Sequence, residues 1–321
     1  MSTYLITGGA GFIGSHLVDE LLARGERVRV VDDLSSGSLA NLEGALDRVE
    51  FKNADIRELD RMRPLFEGAD YVVHLAARSS VAFSIEDPVT STAVNIGGTV
   101  NVLVAARDAR VKRVVFADSA AVYGDNPALP RVESQEPQPL SPYALAKLTG
   151  EYFCRIFTNV FSLESVPLRF FNIFGARQNP YSPYTGVLSK FMVAYLRGET
   201  PVIFGDGEQS RDFTYVANVV DAVLRACTAP EAPGRAINVG VGASYTLNQT
   251  IALLNRIFGR EVTARYGPPR AGDVRHSRAD VSLARQLLGY EPKVSFEEGL
   301  RRTVEWYRSA LASETRGVSA S

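Results

Sequence analysis

The run Gly8-Gly9-Ala10-Gly11-Phe12-Ile13-Gly14 constrains this chain more than any other stretch. It follows an apolar segment of strand length, Tyr4–Thr7, and opens an amphipathic one, so it reads as a strand-turn-helix junction. Glycines at this spacing let the backbone approach a pyrophosphate where a helix N-terminus offers free N–H groups and the positive end of its dipole. Asp32 ends the second apolar run 18 residues after Gly14. An acid in that register can hydrogen-bond both hydroxyls of an adenosine ribose and repels a 2′-phosphate. Asp33 beside it adds negative charge. The expected cofactor is therefore NAD rather than NADP, bound by Gly8, Gly11, Phe12, Ile13, Gly14, Asp32 and Asp33.

The first half continues in the same style. Apolar runs at Tyr4–Thr7, Arg27–Asp32, Val49–Asn53, Tyr71–Leu75, Arg113–Asp118 and Val166–Phe171 alternate with helical patterns at 12–24, 58–67, 89–108 and 142–158. That alternation predicts an α/β fold with a Rossmann-type, doubly wound parallel sheet. Asp55-Ile56 after the third strand and Leu75-Ala76-Ala77 after the fourth become weaker cofactor candidates, for the adenine and for a small-residue floor under the dinucleotide. From about Gly175 glycine and proline become denser, and a smaller mixed α/β substrate-binding lobe is expected. It interleaves with the first, because Phe213–Ala226 reads as another strand-helix unit and Ala236–Val239 as a short strand. The predicted division is 1–174 with 213–240 for the cofactor, 175–212 with 241–312 for the substrate, and a flexible tail at 313–321. Thr246-x-x-Gln249 and Ser295-x-x-Glu298 have the form of capping boxes.

Composition excludes several function classes. With 35 basic and 36 acidic residues well mixed in 321, nothing marks a nucleic-acid or anionic-membrane surface. Two cysteines, Cys154 and Cys227, make no disulfide framework, and the histidines His16, His74 and His276 are scattered, so no metal site is expected. No apolar run approaches a membrane span and no leader is evident, which points to a cytoplasmic protein.

Chemistry gathers around residues 119–147. Tyr143 and Lys147 stand four apart on one face of a predicted helix that Ser141 caps and Pro142 begins. An ammonium beside a phenol lowers its pKa from about 10 toward the operating pH of a general base. Ser119 follows the fifth strand at the carboxyl edge of the sheet, where open α/β folds place their sites.

GGAGFIG, Asp32, HLAA, SAAVYG, SPYALAK, RFFNIFGARQNP and RDFTYV occur in this order. Over about residues 3 to 310 the chain resembles an extended short-chain dehydrogenase/reductase of the NAD-dependent epimerase/dehydratase family, most of all the UDP-hexose 4-epimerases. The resemblance implies that Tyr143 takes the proton from the sugar 4-hydroxyl while hydride passes to tightly held NAD⁺. Lys147 would hold the nicotinamide ribose and tune Tyr143, and Ser119 would bond the 4-oxygen. The 4-keto sugar then turns and is reduced on its other face. Related dehydratases carry Asp-Glu, and decarboxylases a Glu, where this chain has Ala120 and Ala121, so elimination lacks its acid and base.

For the sugar nucleotide, the resemblance implies contacts at Ser80, Ala121, Asn172, Val187, Leu188, Arg211, Arg270, Asp273 and Ser277. Arg211 and Arg270 are expected to clamp the diphosphate with Asn172, since a guanidinium fork suits phosphate. Without the family, Arg211-Asp212 reads equally well as a surface ion pair. Asp273 would take the uridine ribose. Ser277 aligns where enzymes restricted to UDP-glucose and UDP-galactose carry tyrosine, leaving room for a 2-acetamido group. UDP-GlcNAc/UDP-GalNAc is thus expected, with UDP-Glc/UDP-Gal besides. Departures from the family pattern are Asp118 before Ser119, which brings a charge close to the site, Phe170, and Arg78. An arginine flanking the sugar would keep UDP-uronic acids open as substrates. A decarboxylase or reductase on the same fold and a non-enzymatic NAD-sensing protein remain alternatives. The resemblance also implies a homodimer formed by the helices at 89–108 and 142–158.

Overall fold

Apolar runs of strand length in the sequence become one parallel sheet in the computed structural model, which describes residues 1–180, 186–269 and 274–318. Its strands are β1 (Thr3–Thr7), β2 (Arg27–Asp32), β3 (Glu50–Asn53), β4 (Tyr71–His74), β5 (Arg113–Ser119), β6 (Glu164–Phe170) and a late strand, Ile237–Val239. The order is Ile237–Val239, β6, β5, β4, β1, β2, β3, with every neighbour parallel. The order reverses between β1 and β4, and the glycine run leaves β1 at that point, where open α/β sheets bind ligands.

Helices α1 (Phe12–Ala23), α2 (Leu59–Phe66), α3 (Val81–Glu86), α4 (Pro88–Thr92), α5 (Thr99–Asp108) and α6 (Pro142–Phe161) follow the strands of the first half. Strands covered on both faces read as near-continuous apolar runs, and β1 is buried at all 5 positions. Val115 and Val166 pack with Leu17 and Leu21 of α1 on one face. Val114 and Phe116 pack with Phe66 of α2, Leu103 of α5 and Phe157 of α6 on the other. The helix expected at 89–108 runs from Pro88 to Asp108 with a π-helical turn inside it. Asp87 ends α3 and caps α4, accepting from the Thr90 N–H at 3.0 Å, and a π-helical turn at Ala93–Gly98 joins α4 to α5. By length and composition Pro88–Asp108 could also cross a membrane, contrary to the reading of the apolar runs, and half of its apolar window is buried within the protein.

The second lobe is built from α7 (Val187–Arg197), α9 (Leu247–Phe258), α11 (Phe296–Val318) and short strands, with α8 (Val216–Ala226) and α10 (Ser282–Leu288) lying against the sheet. Its core is aromatic: Phe296 stacks on Phe213 at 5.0 Å and meets Phe174 at 5.5 Å and Tyr245 at 4.5 Å between centroids. Phe12 and Ile13 of the glycine run pack against this core, so the lobe rests on the cofactor loop itself. Helix α11 continues through Val318, into the segment expected as a tail. The Thr246 capping box forms, with 3.1 and 2.9 Å bonds to Gln249.

Candidate active site

Residues at the carboxyl ends of β1, β2, β3 and β4 enclose one groove. All twelve residues expected at the dinucleotide other than Tyr143 and Lys147 line it: Gly8, Gly11, Phe12, Ile13 and Gly14 from the loop, Asp32 and Asp33 after β2, Asp55 and Ile56 after β3, Leu75, Ala76 and Ala77 after β4. Gly8 adopts φ +73°, and a Cβ there would lie 2.7 Å from the Ala76 nitrogen. A Cβ at Gly14 would strike Gly8 and come within 2.6 Å of Gly9 Cα, so the first turn of α1 is laid directly on the loop. Such a cradle exists only without side chains, which fits a pyrophosphate held by backbone N–H groups.

Asp32 is buried and braces the loop. Its Oδ2 accepts from Ala10 N at 2.9 Å and its Oδ1 from Leu34 N at 2.8 Å, leaving lone pairs on both oxygens for ribose hydroxyls. Burial raises its carboxyl pKa, and those two N–H donors oppose the rise. Asp55 is paired with Arg57, which holds its pKa down. Arg78 lines the cofactor groove, reaches the Ser35 carbonyl at 3.4 Å and lies 5.7 Å from the Phe83 ring centroid.

The expected catalytic group is assembled across β5 and α6. Ser141 caps α6, accepting from Ala144 N at 3.1 Å, and sets Tyr143 and Lys147 on the first turns. Lys147 is buried; its Nζ donates to the Ala117 carbonyl at 2.5 Å, 4.8 Å from the Phe116 ring centroid and 5.9 Å from that of Tyr143. Burial lowers its pKa to about 8, against the charge of Asp118. Burial also drives Tyr143 to about 12, with a hydrogen bond to Ser119 pulling the other way and Asp118 adding to the rise. Desolvation of the phenol thus works against the lowering expected from the lysine. Ser119 also accepts from Ala121 N at 3.2 Å, beginning the short turn Ala120–Tyr123.

On the sugar-nucleotide side the structure divides the expected residues. Arg270 and Asp273 lie outside the described residues. Asn172 is exposed at the end of β6, and Arg211 donates to the carbonyls of Ser210 and Arg275. Ser80 caps α3, accepting from Phe83 N at 3.0 Å. Val187 opens α7, while the Leu188 side chain belongs to the lobe core. Ser277 donates its backbone N–H to Ser210 at 3.0 Å; two residues on, Ala279 packs with Val122, Tyr123 and Ala120. The segment carrying Ser277 therefore shares a small core with the turn carrying Ala120 and Ala121. Asp212 is no surface ion pair: it is buried and accepts from the N–H groups of Val241, Gly242 and Ala279. It anchors the Ser277 segment, a role that no local pattern announces.

A model of the NAD-dependent epimerase/dehydratase family matches residues 4–240. The chain belongs to that family. A UDP-glucose 4-epimerase of Mycolicibacterium smegmatis is 42% identical over 309 residues, 95% of this chain and 98% of that protein. The Thermotoga maritima UDP-glucose 4-epimerase, solved with UDP-glucose, superposes with a TM-score of 0.92 at 41% identity, covering 96% of this chain and 99% of that one. A UDP-N-acetylglucosamine 4-epimerase from Methanobrevibacter ruminantium, in complex with UDP-N-acetylmuramic acid, gives 0.92 at 38% with the same coverages. For an epimerase/dehydratase family member the cofactor is NAD, in agreement with the glycine cradle and the buried Asp32.

Proposed function

We propose that this protein interconverts UDP-GlcNAc with UDP-GalNAc, and UDP-Glc with UDP-Gal, through a 4-keto sugar. That it is an NAD-dependent UDP-sugar 4-epimerase is supported by the family match and by near full-length similarity to 4-epimerases. The acetamido preference is carried by Ser277, whose small side chain stands on the segment that Ala279 docks against the Ala120 turn.

NAD⁺, when bound, supplies the hydride acceptor and donor. The chain's own residues manage the proton. Tyr143 takes it from the 4-hydroxyl, Ser119 donates to the Tyr143 oxygen and holds the sugar oxygen, and Lys147 keeps a positive charge beneath the phenol. Ala120 and Ala121 offer no proton-transferring group, so the ketone has no route to elimination and is reduced again. NMR of product mixtures from UDP-Glc, UDP-Gal, UDP-GlcNAc and UDP-GalNAc tests the reading. Conversion of UDP-Gal with UDP-GlcNAc left untouched would remove the Ser277 argument, and Ser277→Tyr is expected to suppress the N-acetyl reaction first.

The assembly we infer is a homodimer. Val81 and Ile85 of α3, Val89 of α4, and Leu145, Tyr152, Ile156 and Val160 of α6 are all exposed, and the α6 members fall on one helical face. A second copy offering the same stripe would cover it.

A further inference from the structure

Beneath Lys147 lies a charge cluster that the reaction as described does not use. Asp118 and Arg169 are register partners on β5 and β6. Side chains alternate along a strand, so Asp118 projects to the face where Val114 and Phe116 meet α6. Lys147, Glu151 and Cys154 follow at helical spacing on α6 and are all buried. Glu151 takes Arg169 in a two-pronged pair at 2.8 and 2.9 Å, and Arg169 also donates to the Tyr123 hydroxyl and the Glu133 carbonyl. Asp118 is left over. Arg169 Nε makes only a long ion pair with its Oδ2, at 3.7 Å, no N–H or hydroxyl donor reaches either of its oxygens, and the Glu151 carboxyl lies against it.

A carboxyl sealed from water with no N–H or hydroxyl donor, and with a second carboxyl against it, costs stability and calls for a reason. The other ionisable groups facing this cluster are Tyr143, Cys154 and, across β4, His74, which burial keeps neutral by lowering its pKa to about 3. Arg169 is held chiefly by Glu151, while Lys147 Nζ sits on the carbonyl of the residue preceding Asp118, and Asp118 is the acid whose charge reaches it. We propose that Asp118 is a positioning residue for the catalytic pair, the buried counter-charge that holds Lys147 as an ammonium ion and sets the pH range in which Tyr143 and Lys147 work. This rests on the roles given above to Tyr143 and Lys147. Asp118 opposes loss of a proton from both, raising each pKa. Its own pKa is raised too, by burial first and by Glu151 next, while Arg169 and Lys147 pull it down. Glu151 and Arg169 line a separate cavity of about 330 Å³ with Arg155 and Arg235, so the cluster borders space on the side away from the cofactor groove.

The test is the pH profile of kcat/KM for NAD-saturated wild type, Asp118→Asn and Asp118→Ser. The two limbs belong to Tyr143 and Lys147 as a pair. Removing the negative charge lowers both pKa values, so the whole profile moves to lower pH by about one unit or more, with KM for the UDP-sugar unchanged. A profile that stays within about 0.3 unit while only its height or the melting temperature changes overturns the proposal, because packing alone does not move both limbs together. The serine variant keeps the test open if the amide does not fold. Tyr143→Phe run alongside separates the two readings: if it retains wild-type turnover, the catalytic assignment fails rather than the role of Asp118.

Discussion

Lys147→Met removes the ammonium and keeps the length of the side chain. With Nζ 5.9 Å from the Tyr143 ring centroid, an effective dielectric of about 20 gives an attraction to the phenolate on the order of 3 kcal/mol, or about two powers of ten in phenolate population. The pKa values of about 8 and about 12 add a distinctive shape. Between them the wild-type pair holds one proton, and the share of molecules with that proton on Lys147 and a phenolate at Tyr143 does not change with pH. Wild-type kcat/KM should therefore be level from pH 8 to 10 and fall below. In the variant only the phenolate fraction counts, so the rate is about a hundredfold lower at neutral pH and climbs about tenfold per unit through the same range. Initial rates of epimerisation over pH 6–10, with NAD content and melting temperature checked for each protein, decide it. A variant within about threefold of wild type, or one with the same level region, would refute the assignment of Lys147.

Two further outcomes follow, one from a buried side chain and one from an exposed stripe. His74 sits between the Thr7 and Thr99 hydroxyls, with its pKa lowered to about 3 by desolvation, so the folded protein keeps it neutral while the unfolded chain protonates it near pH 6.5. Its share of stability is present above pH 6.5 and is lost as pH falls toward 3, by about 1.4 kcal/mol per unit; urea denaturation at pH 7.5 and 5.0 should show a smaller decline in His74→Phe. Ile156→Glu places a charge in the exposed stripe of α6 and should yield a monomer in sedimentation analysis; an unchanged dimer would place the interface elsewhere.

Much of the first half was legible because its rules are local. Apolar runs between turn residues located β1 to β6 to within about two residues, and the strand-glycine-helix context with the strand-end Asp32 pointed to the loop and the acid that line the groove. The separate helix α3 ahead of Asp87 and the π-helical turn inside 88–108 escaped periodicity, which sees apolar spacing and not caps. The roles of Asp118 and Asp212 were beyond reach for a different reason. One depends on β5 lying beside β6 in a given register under α6, the other on three backbone N–H groups from segments 241–242 and 279 converging on one carboxylate.

Tyr143→Phe tests the central claim most directly. It deletes one oxygen and leaves Ser119, Lys147 and the glycine cradle in place. Followed by NMR on the best UDP-sugar substrate, the variant is expected to lose about 10²- to 10⁴-fold in kcat with NAD still bound. Turnover equal to wild type would contradict the assignment of Tyr143 as the proton acceptor, and with it the mechanism built on this site.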